Sequence, residues 1–197
     1  MDYTVLQKNF EERGFKTIYC ENKAEATEYL KNSVNNTVVG IGGSMTAVEL
    51  NLYHELRERN TVIWHFISTG MDTREACKNA TVYILSANGV SQDGALVNID
   101  GTGNRLAYSI FGPKRVIYII GKNKIVPTLE DAIHRAKNIA SPKNAQRLKR
   151  DTPCAKRADR CYDCNSPGRI CNATLILDRA PSMTPSTILF VDEDLGF

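Results

Sequence analysis

The sequence predicts an α/β fold with a mainly parallel, doubly wound sheet. Short runs rich in β-branched and aromatic residues, such as 37–41, 61–66 and 115–120, alternate with segments in which apolar residues have helical spacing. Because an uninterrupted apolar strand is typical of a parallel sheet covered on both faces, we expect residues 37–42 to form an interior strand. With 197 residues, the chain is long enough for one sizeable domain, which we predict over residues 1–197.

The first half of the chain predicts a regular succession of helices and strands. In chain order we expect helix 3–13, strand 15–20, helix 22–34, strand 37–42, helix 47–56, strand 61–66, helix 73–80 and strand 81–85. Ser44 and Thr46 are candidate caps of the third helix, since hydroxyls accept hydrogen bonds from the first backbone N–H groups. Glu49 follows Thr46 by three residues, the spacing of a capping box.

The second half is less regular but continues the pattern. We expect a turn at Asp93-Gly94, strand 95–99, a turn at 100–103, helix 104–111 and strand 115–120. Thr128 is expected to cap a helix that Ser141-Pro142 interrupts, with a basic helical stretch over 143–150. Two strands, 174–177 and 187–191, complete the prediction.

Composition and charge exclude several classes of protein. Apolar residues make up 42% of the chain and charged residues 24%, as in ordinary globular proteins. No apolar run approaches the roughly 18–20 residues that cross a bilayer, and the first residues do not resemble a signal peptide. We therefore expect a cytoplasmic protein without a membrane partner. A net charge of +3 does not indicate a nucleic-acid partner, and a homo-oligomer is compatible with the sequence.

Three polar, glycine-bearing turns follow predicted strands, and we expect them to meet at one edge of the sheet. Ligands of open α/β sheets bind outside the carboxyl ends of the strands, where backbone N–H groups and cations favour an anion. The predicted ligand-binding residues are Gly42, Gly43, Ser44, Thr46, Asp100, Gly101, Thr102, Gly103, Asn104, Arg105, Lys122 and Lys124. The candidate catalytic residues are Glu49, Asp93, Asp100 and Lys124, because carboxylates and amines transfer protons.

Four of the six cysteines lie close together, as Cys154, Cys161, Cys164 and Cys171. Cys161 and Cys164 have the CxxC spacing of metal ligands, and the two flanking cysteines would complete a set of four. Nearby cationic residues, among them Arg157 and Arg169, would offset the negative charge of four thiolates. Spacing alone leaves zinc, an iron–sulfur cluster and free structural thiols open.

Four segments together resemble the LUD domain, a lactate-utilisation family that includes lactate utilisation protein C. They are residues 40–46, 93–105, 121–126 and 161–172, of which the Asp-Gly-Thr-Gly-Asn-Arg block at 100–105 is the most specific. The resemblance implies a fold similar to that of sugar-phosphate isomerases and CoA-transferases (NagB/RpiA-like). It also implies cytoplasmic L-lactate oxidation as the context. Unlike protein C, this chain carries the cysteine-rich segment 151–172, within the same domain.

The resemblance favours a redox-associated LUD protein with an anionic small ligand at the glycine turns and an iron–sulfur cluster at the cysteines. Its partners would be a small anionic metabolite and other lactate-utilisation or redox proteins. The alternative is an isomerase- or transferase-like enzyme acting on a phosphorylated or CoA-linked metabolite, with a structural zinc. A third class is an RNA-binding module using basic residues 147–160 and a knuckle-like metal loop. It is disfavoured because aromatic residues on which bases could stack are lacking beyond Tyr162.

Overall fold

The computed structural model describes residues 2–67 and 73–197, which form a mixed α/β structure built on two sheets. In chain order, the strands are β1 (Lys16–Cys20), β2 (Val38–Ile41), β3 (Thr61–Trp64), β4 (Val82–Leu85), β5 (Gly89–Ser91), β6 (Leu96–Asp100), β7 (Arg115–Gly121), β8 (Ile125–Val126), β9 (Ala173–Leu177) and β10 (Ser186–Val191). Six of them form a central sheet in the order β1-β10-β7-β4-β2-β3, with every neighbouring pair parallel. The predicted α/β class with a mainly parallel central sheet is confirmed.

Strand β2 lies in the interior of the central sheet, as its apolar run predicts. Val39 pairs with Val62 of β3 on one side and with Val82 of β4 on the other. The chain therefore leaves β2 for β3 and then returns to the opposite side of β2 at β4. Such a reversal is a topological switch point, and it opens a crevice at the carboxyl ends of β2 and β4.

Both faces of the central sheet are covered, which explains why its strands are apolar at nearly every position. In β4, Val82 and Ile84 belong to the cluster on one face, while Tyr83 and Leu85 belong to the cluster on the other. All four side chains are at most 5% exposed. This alternation follows from the two-residue period of a strand.

The helices are α1 (Tyr3–Glu11), α2 (Lys23–Ser33), α3 (Met45–Glu49), α4 (Leu52–Leu56), α5 (Thr73–Ala76), α6 (Asn104–Ile110), α7 (Leu129–Arg135), α8 (Ser141–Arg147) and α9 (Pro153–Arg157). Helices α2, α3 and α4 cover one face of the central sheet, and α1 covers the other. The prediction of a single helix over 47–56 is wrong, because Asn51 adopts the left-handed conformation (φ 52°) and separates α3 from α4.

The predicted break at Ser141-Pro142 is also wrong. Helices α7 and α8 are joined by a π-helical segment, Ala136–Ala140, so the chain stays helical from Leu129 to Arg147. Proline has no backbone N–H to donate, and a widened turn accommodates it without ending the helix. The Ser141 hydroxyl donates a hydrogen bond of 2.8 Å to the Ala136 carbonyl within this turn.

The second sheet has the strand order β8-β5-β6-β9 and packs between the central sheet and α7. Strands β5 and β8 were not predicted from the sequence, since with three and two residues they are too short for periodicity to reveal. Gly89 opens β5 against α7, where a Cβ would lie 2.3 Å from the Ala132 carbonyl oxygen. The backbones approach so closely there that only glycine fits.

Among the residues that the structure describes, every helix is too short or too polar to cross a bilayer.

Candidate functional site

A cleft of about 700 Å³ opens at the carboxyl ends of the central strands. Its walls include residues 43–45 after β2, 86–88 after β4, 99–102 and 104–105 around the end of β6, and Lys124 after β7. The lining also includes parts of α8 and of the cysteine-rich segment 151–172, and other residues such as His65, Phe66 and Arg150. The position matches the switch point between β2 and β4, where ligands of α/β sheets bind.

The first turn places Gly43 and Ser44 in the cleft. The Ser44 hydroxyl caps α3 by accepting the backbone N–H of Ala47 at 3.2 Å. A Cβ on Gly43 would lie 3.3 Å from the His65 ring, which also lines the cleft. The glycine therefore keeps the space in front of this turn open.

The expected capping box at Thr46 and Glu49 is wrong. Thr46 lies inside α3 and is 1% exposed, and its hydroxyl contacts Lys124 instead of capping the helix. The Glu49 carboxylate accepts the backbone N–H of Gly196 at 2.9 Å. Neither residue lines the cleft, although Thr46 lies directly behind it.

The turn after β6 is organised by Asp100. One carboxylate oxygen accepts the backbone N–H groups of Thr102 and Gly103, both at 2.9 Å, and the other accepts Arg105 Nε at 3.0 Å. Asp100 and Arg105 are each 12% exposed, so this ion pair is shielded from water. Because both of its oxygens already accept hydrogen bonds, Asp100 shapes the turn and positions Arg105.

Lys124 lies at the floor of the cleft and is 3% exposed. Its Nζ donates to the hydroxyls of Thr46 at 2.8 Å and Ser86 at 2.7 Å. Burial, followed by the nearby charges of Arg135 and Arg105, lowers the pKa of Lys124 to about 7. An amine with such a pKa can exchange a proton near neutral pH.

Cations dominate the lining of the cleft. Among the described residues, the lining includes one acidic side chain, Asp100, together with Lys124 and five arginines, which are Arg74, Arg105, Arg147, Arg150 and Arg169. The Arg147 guanidinium lies over the Phe66 ring, 5.4 Å from its centroid, and its pKa is lowered by burial. Such a field attracts small anions.

The structure brings most of the predicted ligand-binding residues to this cleft. Those in its lining are Gly43, Ser44, Asp100, Gly101, Thr102, Asn104, Arg105 and Lys124. Three predicted residues are next to this lining in sequence without belonging to it, namely Gly42, Thr46 and Gly103. The fourth, Lys122, is exposed and forms an ion pair with Asp192 at 3.3 Å. Of the candidate catalytic residues, Asp93 is outside the lining, in an exposed turn that packs against the end of α1.

Several lining residues are absent from the sequence-based list. Ser86 and Asn88 follow the apolar run of β4, so the rule used for the other turns would have found them. His65 and Arg147 gave no such signal, because one lies beside a strand and the other on a helix of ordinary basic character.

The cysteine-rich segment is attached to the Asp100 turn and forms part of the cleft wall. The Asn172 backbone N–H donates to the Asp100 carbonyl, and its side chain donates to the Gly101 carbonyl, both at 3.0 Å. A Cβ on Gly101 would lie 3.0 Å from the Ile170 carbonyl oxygen, so the two backbones are in close contact. Arg169 lines the cleft between these contacts.

The four cysteines of this segment are free thiols of intermediate burial. Hydrogen bonds from Ser166 lower the pKa of Cys164, whereas burial, then the charges of the other three cysteines, raises the pKa of Cys171. The charges of Cys154, Cys161 and Cys164 thus act on Cys171. They fit an iron–sulfur cluster or zinc in donor type and number. Within residues 2–67 and 73–197, however, no three His, Cys, Asp or Glu side chains form a group that could hold a metal ion.

Comparisons with known proteins agree with this fold. The family model described as the LUD domain matches residues 3–191. A crystal structure of a DUF162 family protein from Deinococcus radiodurans has a similar fold, with a TM-score of 0.51 and 12% sequence identity. That similarity covers 96% of this chain and 99% of the other chain. Comparison with curated proteins finds no match. Because the family model spans nearly the whole sequence, the chain belongs to the LUD domain family.

Proposed function

We propose that this LUD-domain protein binds a small anionic metabolite in the cleft between the carboxyl ends of β2 and β4. The observation that carries the proposal is the charge of the lining, where five arginines and Lys124 accompany a single acidic side chain among the described residues. Arg147 and Arg150 line the same cleft as the glycine turn at Gly43 and Ser44, so a bound anion would have guanidinium groups and backbone N–H groups among its neighbours. The volume is within the range of small-molecule sites.

The class of ligand follows from the family and the site together. The LUD family is associated with lactate utilisation, and 2-hydroxy and 2-oxo acids carry the carboxylate that such a cleft would attract. We therefore place the protein in the context of cytoplasmic L-lactate oxidation, beside other lactate-utilisation or redox proteins. L-Lactate and pyruvate are the first ligands to test.

We further propose that Cys154, Cys161, Cys164 and Cys171 hold a metal centre, an iron–sulfur cluster in preference to zinc. The support is four free thiols of intermediate burial within one segment. When bound, a cluster would supply electron transfer. The protein's own contribution is structural, since Arg169 donates to the carbonyls of Cys164 at 2.7 Å and Cys171 at 3.1 Å and so ties two cysteines to the cleft wall.

The second candidate is an isomerase- or transferase-like enzyme acting on a phosphorylated or CoA-linked metabolite, with a structural zinc at the cysteines. Lys124 favours it, because a buried amine with a pKa of about 7 suits proton transfer. An RNA-binding role has less support. Arg157 and Arg160 lie 5.3 and 5.2 Å from the Tyr162 ring centroid, so cations already occupy the ring on which a base would stack.

Calorimetric titration distinguishes these ligand classes. L-Lactate, pyruvate, inorganic phosphate and coenzyme A are titrated separately into anaerobically purified protein at low and high salt. The test variant carries Arg147→Met and Arg150→Met, and the matched control is Lys122→Met, which removes an exposed cation outside the cleft. The proposal expects carboxylate binding that weakens with salt, is lost in the test variant and persists in the control.

Binding that is equal in both variants, or no binding of any of the four ligands, would contradict the proposed cleft function. Binding of phosphate or coenzyme A without binding of L-lactate or pyruvate would favour the second candidate.

Elemental analysis tests the proposed metal centre separately. Iron, sulfide and zinc are measured after anaerobic purification of wild type and of the Cys161→Ser, Cys164→Ser double variant. We expect iron and sulfide in the wild type only. Zinc without iron would favour the structural role, and a metal-free wild type would exclude a metal centre.

A further inference from the structure

Lys124 occupies an unusual place for a lysine. It ends the short 3-10 turn Lys122–Lys124 after β7, and its side chain reaches the cleft between the ends of β2 and β4 while remaining 3% exposed. Within the described part of the chain, no carboxylate lies within ion-pair distance of Nζ. A buried lysine that serves only the fold is normally paired with a carboxylate, because burial of an unpaired charge is costly.

The hydrogen bonds around Nζ match a neutral amine. Ser86 donates its own hydroxyl proton to the Ile119 carbonyl at 2.6 Å, and Thr46 donates its proton to the Leu195 carbonyl at 3.3 Å. Both hydroxyls therefore act as acceptors toward Lys124. A neutral amine has two N–H bonds, and these two acceptors satisfy both of them, so that the lone pair stays free of hydrogen bonds. A charged ammonium would have a third N–H to satisfy.

The charges of neighbouring residues also favour the neutral form of the Lys124 amine. After burial, the charges of Arg135 and then Arg105 lower the pKa of Lys124, while the charge of Glu49 raises it by less. Arg135 is held by the carbonyls of Asn123, Asn88 and Phe197, so its position is determined by backbone contacts. A substantial fraction of Lys124 is thus uncharged near neutral pH, and an uncharged lysine in an apolar or cationic environment is a nucleophile.

We propose that Lys124 forms an imine with the carbonyl carbon of the anionic metabolite bound in the cleft. The inference rests on the proposed anion site and narrows its ligand to anionic carbonyl compounds. The cations of the wall would hold the carboxylate or phosphate group, and the carbonyl group would lie against Nζ at the floor.

The reaction needs no oxidant or reductant. The Nζ lone pair attacks the carbonyl carbon, a C–N bond forms, and the carbonyl electron pair moves to oxygen, which takes a proton. Loss of that oxygen as water leaves a C=N bond between Lys124 and the metabolite. The summed change is amine plus carbonyl to imine plus water, in which both Nζ protons leave with the carbonyl oxygen as water.

Borohydride trapping tests the inference. Borohydride donates a hydride to the imine and converts it into a stable secondary amine, which tandem mass spectrometry assigns to one lysine. Pyruvate and glyoxylate are the carboxylate probes, and dihydroxyacetone phosphate is the phosphate probe. The protein variants are wild type, Lys124→Met, Lys124→Arg and Lys122→Arg. We expect one reduced adduct per chain on Lys124, suppressed by excess L-lactate, retained in Lys122→Arg and lost in both Lys124 variants.

The choice of carbonyl probe distinguishes the two candidate ligand classes. Adducts with pyruvate and glyoxylate would indicate a 2-oxo acid, and an adduct with dihydroxyacetone phosphate would indicate a sugar phosphate. Absence of an adduct in wild type, or adducts spread over exposed lysines such as Lys122, would overturn the inference even if the Lys124 variants fail to fold. Calorimetric binding without an adduct would refute the imine and leave the anion site intact, whereas loss of both would refute both.

Discussion

Removal of the Lys124 amine should change how the stability of the protein depends on pH. In the folded chain the pKa of this amine is about 7, against an ordinary value of 10.5. The unfolded chain therefore binds more protons than the folded chain between these values, and stability rises with pH through that window. Lys124→Met keeps the length of the side chain and eliminates this proton linkage.

The magnitude follows from the two pKa values. Near pH 8 the unfolded amine is almost fully charged and the folded amine is mostly neutral, so the slope approaches one proton, or about 1.4 kcal/mol per pH unit. Between about pH 7 and pH 9 the wild type should gain about 2 kcal/mol relative to Lys124→Met. Any pH-independent effect of the substitution on the free energy of unfolding cancels when the values at about pH 7 and pH 9 are compared. The thiols of Cys20 and Cys77, whose pKa values burial raises to about 11, are present in both proteins and therefore cancel as well.

Urea denaturation of both proteins at several pH values, with a thiol reductant, measures the difference directly. Parallel stability curves for wild type and Lys124→Met would show that the buried amine keeps an ordinary pKa. That result would also remove the electrostatic support for a nucleophilic Lys124.

Three further predictions address the walls of the cleft. Gly43→Val should abolish anion binding measured by calorimetry without unfolding the protein, because its side chain fills the space in front of the first turn; unchanged affinity in the folded variant would count against the site. Asp100→Asn should lower the free energy of unfolding, measured by urea denaturation, by roughly 1–3 kcal/mol, because Arg105 loses a shielded ionic partner. The control Asp93→Asn, in an exposed turn, should change it by less than about 0.5 kcal/mol, and equal effects of the two variants would refute this explanation. Arg169→Gln should weaken anion binding in calorimetry and also lower metal content after anaerobic purification, and a change in only one of the two would disprove the proposed link between cleft and cysteines.

Sequence periodicity predicts the central sheet well because parallel strands buried on both faces must be apolar throughout. The interior position of β2 follows from that requirement alone. The same reasoning fails for β5 and β8, which have three and two residues and whose positions depend on contacts with α7. It also fails at Asn51, where a left-handed residue splits a helix that has continuous apolar spacing.

The candidate site is predictable only where it consists of strand ends. Gly43, Asp100 and Lys124 each follow a recognisable apolar run, and the parallel sheet brings them together. Arg147 and Arg169 belong to other layers of the structure, and their arrival at the cleft depends on how α8 and the cysteine-rich segment pack. Local sequence patterns do not predict this packing between distant segments.

Backbone amide chemical shifts during titration test the anion site most directly. We predict that L-lactate or pyruvate shifts the amide resonances of Gly43, Ser44 and Thr102 in a saturable way, with one shared affinity, since these residues line the cleft. The resonance of Gly94, in the turn that packs against α1, should not move. Shifts confined to residues outside the cleft, or no saturable shift with any carboxylate, phosphate or coenzyme A ligand, would contradict the proposed site.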